Sequence, residues 1–193
     1  MVSEGGAASR RALLGAATTA LAGGAATALA GCGAPAKTGA KSVRKAGPPV
    51  QQADINLLSN LLDLERHTVA AYTAGIPLLR RPEAHTAKQF LNEELQHTGE
   101  LISLIKAAGG MAPPHAAAYD LGPAGDAAAV LALLHRLERA QIAAYLEAIP
   151  RLSPGPVRAA AATIVASDAQ HIAVLRSIQG LTPMPSAFVT GTE

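Results

Sequence analysis

The chain has 193 residues, a formal net charge of +2 and one cysteine. A single cysteine excludes an intrachain disulfide and any zinc or iron–sulfur site built from several cysteines. Residues 54–193 contain ten Lys/Arg against thirteen Asp/Glu, a net charge of −3, so nothing here supports nucleic-acid binding.

Residues 1–31 are predicted to be an export signal. Arg10 and Arg11 precede an Ala/Gly/Leu-rich stretch without charge up to Ala30, the order typical of a signal peptide. The arginine pair resembles the bacterial Tat signal. Leu29-Ala30-Gly31-Cys32 resembles a lipobox, which implies acylation of Cys32. We therefore expect a protein anchored in membrane lipid through Cys32, on the extracytoplasmic face of the cell membrane. A retained membrane-spanning helix is less favoured, because the stretch is rich in Gly and Ala.

The rest of the chain divides by composition. Residues 32–53 hold Gly, Pro, Ala and four basic residues, which predicts a flexible basic tether. Residues 54–180 are dominated by Ala, Leu, Glu and Gln and have almost no strand signals, which is typical of an all-α domain. Residues 181–193 are predicted to be a C-terminal tail.

Four helices of similar length are predicted from their start and stop residues. Asp54 is a candidate N-cap for the first, and Pro82 suits the first turn of the second. The predicted helices span about 54–75, 82–109, 127–149 and 156–180. Short proline-containing links predict two antiparallel hairpins. The link 110–125 is long enough to run the length of a helix, which predicts one crossover between helices two and three.

The two hairpins are predicted to be duplicates. Residues 61–79 return at 134–152 with ten of nineteen residues identical. Each copy is followed by an acidic residue three positions before a histidine, as Glu94 with His97 and as Asp168 with His171. Four carboxylates and two imidazoles from four helices are what a pair of metal ions in a bundle requires.

Helical periodicity directs these groups inwards. Glu65 shares a face with Tyr72, and Glu138 shares one with Tyr145, because positions i and i+7 coincide on a helix. Leucine and isoleucine flank both faces. A lone buried carboxylate is costly, so a compensating charge is expected.

This pattern resembles the ferritin-like superfamily of di-iron carboxylate proteins. The resemblance covers nearly all of residues 54–180 and implies a ferritin-like four-helix bundle. It implies a di-iron or manganese centre, which suits oxygen-rich donors with one imidazole per metal. It further implies an oxidase, ferroxidase or peroxide-scavenging activity. The roles implied are terminal ligands at Glu65 and Glu138, bridging or chelating ligands at Glu94 and Asp168, nitrogen ligands at His97 and His171, and hydrogen-bonding or redox tyrosines at Tyr72 and Tyr145.

A metal-free alternative stays open. Asp168 is one methylene shorter than the glutamate of the family pattern, which could weaken or remove one metal position. In that interpretation the chain is a helical lipoprotein with an interaction or structural role in the cell envelope, and Glu65 and Glu138 are hydrogen-bonded to buried His and Tyr groups. A homodimer is left open, and no protein partner is identified.

Neighbouring polar residues are assigned to the surface. Arg66 and Arg139 are expected in surface ion pairs, and His67 and His135 are expected to be exposed, because all four lie off the ligand faces. Glu93 is expected to be solvated. If the inward face of the second helix is shifted by one residue, Glu93 takes the place of Glu94 as the predicted ligand.

Overall fold

The computed structural model describes residues 52–123 and 125–193. Helix α1 spans Gln52–Gly75, α2 Arg81–Ala107, α3 Ala127–Ala148 and α4 Pro156–Ile178. A 3-10 turn at Ile76–Leu78 links the first two. The all-α four-helix prediction is confirmed. The predicted signal peptide, Cys32 and nearly all of the predicted tether lie outside the described residues. None of the described helices combines the length and the hydropathy that a membrane-spanning helix requires.

Local sequence explains where the helices begin and end. Asp126 caps α3 by accepting a hydrogen bond from the backbone N–H of Ala129 at 2.8 Å. Gly109 and Gly180 follow α2 and α4 with φ of 83° and 73°, a left-handed conformation in which glycine avoids a steric cost. The two hairpins therefore end in the same way, as expected of duplicates.

Asp54 does not have its predicted role as a cap. Helix α1 begins at Gln52, and the buried Asp54 carboxylate accepts a hydrogen bond from the backbone N–H of Ser153 at 3.1 Å. This contact ties the start of α1 to the link between α3 and α4.

Contacts at the two ends define the topology. Asp54 meets Ser153 at one end of the bundle, and Gly75 packs against Val130 at the other, so α1 and α3 are antiparallel. Gly110 lies against Ile55, near the start of α1, whereas α3 begins near the end of α1. The link between α2 and α3 therefore runs the length of the bundle, which confirms the predicted crossover.

The crossover packs against α1 through Arg66 and His67, two residues that the sequence predicts at the surface. Arg66 is buried and donates hydrogen bonds to the backbone carbonyls of Pro113 at 2.7 Å and Pro114 at 3.2 Å. His67 stacks on Tyr119 with ring centroids 5.1 Å apart. The surface ion pair predicted for Arg66 was wrong, because the crossover covers this side of α1.

The core consists of two apolar clusters with a polar layer between them. One cluster contains Leu58, Leu62, Leu101 and Tyr145. The other contains Tyr72, Phe90, Val130, Leu134 and Leu175. The carboxylates and histidines of the predicted ligand set occupy the level between the clusters, shielded from water at both ends: Glu65, Glu94, His97, Glu138, Asp168 and His171.

Two helical glycines provide a matched test of this packing. A Cβ at Gly75 would lie 2.6 Å from Val130 Cγ1, whereas a Cβ at Gly99 would have nothing within 4 Å. We expect Gly75→Ala to lower the free energy of unfolding by about 1–3 kcal/mol through overpacking. Gly99→Ala should raise it by about 0.5–1 kcal/mol through helix propensity. Urea denaturation of both variants checks this, and equal effects would contradict the close approach of α1 and α3.

Candidate metal centre

The structure brings all six predicted ligand side chains together in the polar layer. The centres of the two histidine rings lie 6.4 Å apart. The four carboxylate residues are fully buried, and His97 has a side-chain exposure of 12%. Each helix contributes, with Glu65 on α1, Glu94 and His97 on α2, Glu138 on α3, and Asp168 and His171 on α4.

The first group of donors consists of Glu65, Glu94 and His97. One donor atom from each lies within 4.8 Å of the others. His97 Nδ1 is 3.7 Å from Glu65 Oε2 and 3.6 Å from Glu94 Oε1. Two carboxylates and one imidazole therefore face a common point.

The second group consists of Glu94, Glu138, Asp168 and His171, with donor atoms again within 4.8 Å of one another. His171 Nδ1 lies 3.3 Å from Glu94 Oε1 and 3.2 Å from Glu138 Oε1. Glu94 belongs to both groups. Asp168 also reaches towards the first, since its Oδ1 is 3.5 Å from His97 Nδ1. The shorter side chain at position 168 still reaches the centre.

Several buried atoms at this point have no hydrogen bond. Both oxygens of Asp168, Oε1 of Glu94 and Nδ1 of His97 have no hydrogen-bond partner among the described residues. A buried polar atom without a partner costs about 1–3 kcal/mol, and more if it is charged. The unpartnered atoms come from α2 and α4 and face the same point. This arrangement fits divalent cations, which bind several oxygen and nitrogen donors at once.

The two tyrosines hold the opposite glutamates. Tyr72 on α1 donates a hydrogen bond to Glu138 Oε1 on α3 at 2.6 Å, and Tyr145 on α3 donates one to Glu65 Oε1 on α1 at 2.5 Å. Both hydroxyls are fully buried. The crosswise pairing follows from the antiparallel arrangement of α1 and α3, and Oε2 of each glutamate contacts another residue of the centre, Gln141 for Glu65 and His171 for Glu138.

Gln141 is a member of the centre that sequence reasoning missed. Its fully buried side-chain amide donates hydrogen bonds to Glu65 Oε2 at 2.9 Å and to Glu94 Oε2 at 3.0 Å. Its spacing of three residues after Glu138 was an available signal, since positions i and i+3 are neighbours on a helix. The duplication obscured it, because the equivalent position in the first hairpin is Thr68, whose hydroxyl donates to the backbone of Leu64.

Glu93 also contacts the centre, from its outer side. His171 Nε2 lies 2.7 Å from Glu93 Oε2, and the Glu93 side chain is 46% exposed. The ring of His171 stacks on Phe90, with centroids 4.0 Å apart. Glu93 does not replace Glu94, which is the buried member of the pair. It is partly solvated, as expected, but it also contacts a predicted ligand.

Burial and charge pairing shift the pKa values strongly. Burial lowers the pKa of His97, but Glu65 and Glu94 outweigh this effect and raise it to about 10. For His171, Glu138 and Glu94 likewise overcome burial and raise the pKa to about 11. Burial raises the pKa of Glu65 to about 8 and that of Asp168 well above its usual value. Without metal, protons therefore neutralise much of the centre at pH 7.

Metal binding should consequently release protons and strengthen as pH rises. A cation needs an unprotonated imidazole and a carboxylate, so it displaces the protons held by His97, His171 and Glu65 at pH 7. We expect at least about three protons released per pair of ions at pH 7. Calorimetric titration in buffers of different ionisation enthalpy measures this number. Binding without proton release would contradict the protonation described.

The same shifts fix how the stability of the metal-free protein depends on pH. All three groups have pKa values raised above those of the unfolded chain, so their stabilising contribution is present at low pH and is lost as pH rises. For Glu65 the loss occurs through about pH 8, and for the histidines through about pH 10 to 11.

Two further residues correct the sequence assignment. His135 was expected at the surface but is 9% exposed, and burial lowers its pKa, with Arg176 and Arg139 adding to the effect. Arg139 is half-buried, and no ion pair of Arg139 occurs among the described residues. Its predicted surface ion pair is not formed there.

Comparisons with known proteins agree with this architecture. A sequence model of the ferritin-like domain matches residues 53–181. Among solved structures, a conserved hypothetical protein, rv2844, from Mycobacterium tuberculosis is similar with a TM-score of 0.64 and 23% sequence identity. That match covers 70% of this chain and 96% of the other. At this identity the likeness concerns the fold alone. No curated protein matches the sequence.

Proposed function

The chain belongs to the ferritin-like family, and we propose that it is an exported, lipid-anchored member whose buried centre binds two iron or manganese ions. One observation carries the proposal. Unpartnered donor atoms of Glu94, His97 and Asp168 face one point in the polar layer between two apolar clusters.

Charge supports two ions at this centre. Glu65, Glu94, Glu138 and Asp168 are all fully buried. When ionised they carry four negative charges, which two divalent cations balance if both imidazoles are neutral. Burying an uncompensated carboxylate costs several kcal/mol. Two divalent cations therefore remove a cost that the metal-free protein meets only by holding protons.

The donor chemistry favours iron or manganese. Each group offers carboxylate oxygens and one imidazole nitrogen, without sulfur. Carboxylates with few imidazoles suit iron and manganese better than copper or structural zinc. Glu65 and His97 would hold one ion and Glu138 and His171 the other, with Glu94 shared and Asp168 completing the second position.

An oxidative activity is the reaction class that fits these ligands. Iron or manganese held in this way supplies redox chemistry with oxygen or peroxide, or oxidation of ferrous iron as substrate. The two apolar clusters exclude water from both ends, and Tyr72 and Tyr145 keep the terminal glutamates oriented. Both hydroxyl groups lie within hydrogen-bonding distance of a proposed ligand, where each can donate a proton.

The cellular location is proposed from the sequence. The arginine pair, the apolar stretch and the lipobox ending at Cys32 occur in the order of a Tat-exported lipoprotein. The Tat route carries folded proteins, which would allow the metal to be loaded before export. Acylated Cys32 would hold the domain at the outer face of the cell membrane, with the predicted basic tether between the lipid and the helical bundle.

Metal content tests the proposal. The full chain, purified from cells grown with iron and manganese added, should contain about two Fe or Mn per molecule by elemental analysis. A Glu65→Ala, Glu138→Ala double variant should contain almost none, and circular dichroism checks that it remains helical. Consumption of oxygen, peroxide or ferrous iron by the loaded wild type then separates the three activities. A wild type that stays metal-free and is no more stable than the double variant would favour the metal-free interaction protein.

A further inference from the structure

The two halves of the centre are unequal although the hairpins are duplicates. The group around His171 has four donor residues, whereas the group around His97 has three. The additional donor is Asp168, whose two oxygens are both buried without hydrogen bonds. Asp168 Oδ1 also lies 3.5 Å from His97 Nδ1, but it is around His171 that four donor residues have atoms within 4.8 Å of one another, so a cation there meets more oxygen donors and more negative charge.

Glu93 adds a second difference. A carboxylate can only accept, so its contact with His171 Nε2 at 2.7 Å requires that nitrogen to carry the proton. When the ring is neutral, its other nitrogen, Nδ1, then presents a lone pair to the centre. A carboxylate that accepts a hydrogen bond from the outer nitrogen of a histidine ligand orients the ring and makes its metal-binding nitrogen more basic. The contacts of His97 with carboxylates all involve Nδ1, and no described carboxylate pairs with its Nε2.

Gln141 adds a third difference. It weakens the donors of the first group, whereas Glu93 strengthens a ligand of the second. Its amide donates to Glu65 Oε2 and Glu94 Oε2, so it occupies oxygen lone pairs on the side of the first group. The equivalent Thr68 makes no such bond to the second group and donates to backbone. The position beside His97 thus has fewer donors, and Glu65, the carboxylate that belongs to this group alone, has one oxygen engaged by Gln141.

We infer that the two positions fill in a fixed order, with the ion beside His171 bound first and more tightly, and that Glu93 is the positioning residue for that ion. This inference rests on the proposed two-ion centre. It assigns to Glu93 a role that neither the duplication nor the predicted ligand set contains, because the equivalent residue in the second hairpin is Ser167.

A manganese titration of the metal-stripped full chain tests the order. Calorimetry should resolve two steps, with the first dissociation constant at least about tenfold lower. Electron paramagnetic resonance should give the six-line signal of an isolated ion at one equivalent, and a spin-coupled signal at two. His97→Ala should keep the tight step and lose the weak one. His171→Ala should lose the tight step.

Glu93 is tested by two variants and a control. Glu93→Ala should weaken the first step by about tenfold or more and leave the second nearly unchanged. Glu93→Gln, which keeps an acceptor, should recover part of this loss. Glu100→Ala, on the exposed side of the same helix, should change neither step. Because Glu93 is partly exposed, these variants should fold normally, which circular dichroism verifies.

The outcomes separate this inference from the proposed function. Two ions bound with equal affinity, or a Glu93→Ala variant that weakens both steps alike, would overturn the order while the two-ion centre stands. A wild type that binds no manganese would overturn both.

Discussion

Divalent manganese is expected to raise the melting temperature of the metal-free protein by about 15–20 °C. An ion present at 100 times its dissociation constant adds about 2.7 kcal/mol to stability. Two ions therefore add about 5 kcal/mol, and each kcal/mol moves the midpoint by about 3–4 °C in a domain of this size. The effect is large because two ions bind the native state, whereas the unfolded chain lacks the assembled donor groups. Calorimetric melts with manganese and with a chelator measure it.

Asp168→Asn is the matched variant for this measurement. Burial raises the pKa of Asp168 well above its usual value, which favours the protonated, neutral form in the metal-free protein. An amide of nearly the same size should therefore leave the metal-free midpoint within a few degrees. The shift caused by manganese should fall to about half or less, because one donor is lost. An unshifted wild type, or an unchanged shift in the variant, would contradict the proposed role of Asp168.

Removing the Glu94 carboxylate is expected to abolish both metal positions. Glu94 belongs to both donor groups, and its Oε1 faces both histidines, at 3.6 Å from His97 Nδ1 and 3.3 Å from His171 Nδ1. Glu94→Ala should therefore reduce bound manganese from about two ions per chain to fewer than about 0.2 in equilibrium dialysis against excess metal.

Two variants make that result specific. Glu138→Ala removes a member of the second group only, so it should keep about one ion under the same conditions. Glu100→Ala removes an exposed carboxylate from the same helix and should keep both ions. If Glu94→Ala retained one ion, the carboxylate would not be shared between the positions.

The residues at the centre were predictable to the extent that the duplication repeats them. Helix starts and stops follow from Asp126, Gly109 and Gly180, whose local chemistry is independent of the tertiary fold. The acid–histidine spacing recurs in both hairpins. These features identified the four helices, the crossover and the six side chains that the structure brings together.

Features that differ between the hairpins were not predictable in this way. Gln141 and Glu93 have Thr68 and Ser167 at the equivalent positions, so a comparison of the two copies assigns them no role. Arg66 is buried because the crossover lies over α1, and the path of a loop is not encoded in helical periodicity. His135 is also buried, and Arg176 of α4 lowers its pKa, a neighbour that the periodicity of α3 alone does not reveal.

The hydrogen bonds of the tyrosines were predictable only in part. Periodicity placed Tyr72 on the face of Glu65, but its hydroxyl donates to Glu138 on the antiparallel helix. Which glutamate each tyrosine meets depends on the register between α1 and α3. That register is set by contacts at the helix ends, such as Gly75 against Val130.

Anomalous diffraction at the manganese absorption edge, from crystals of the manganese-loaded protein, is the most direct test of a two-ion centre. We expect two peaks about 3.5–4 Å apart, a separation typical of two-metal sites. One should lie beside His97 Nδ1 and the other beside His171 Nδ1, with the Glu94 carboxylate between them. A centre without anomalous density, with these six side chains in the positions described, would contradict the proposed metal binding.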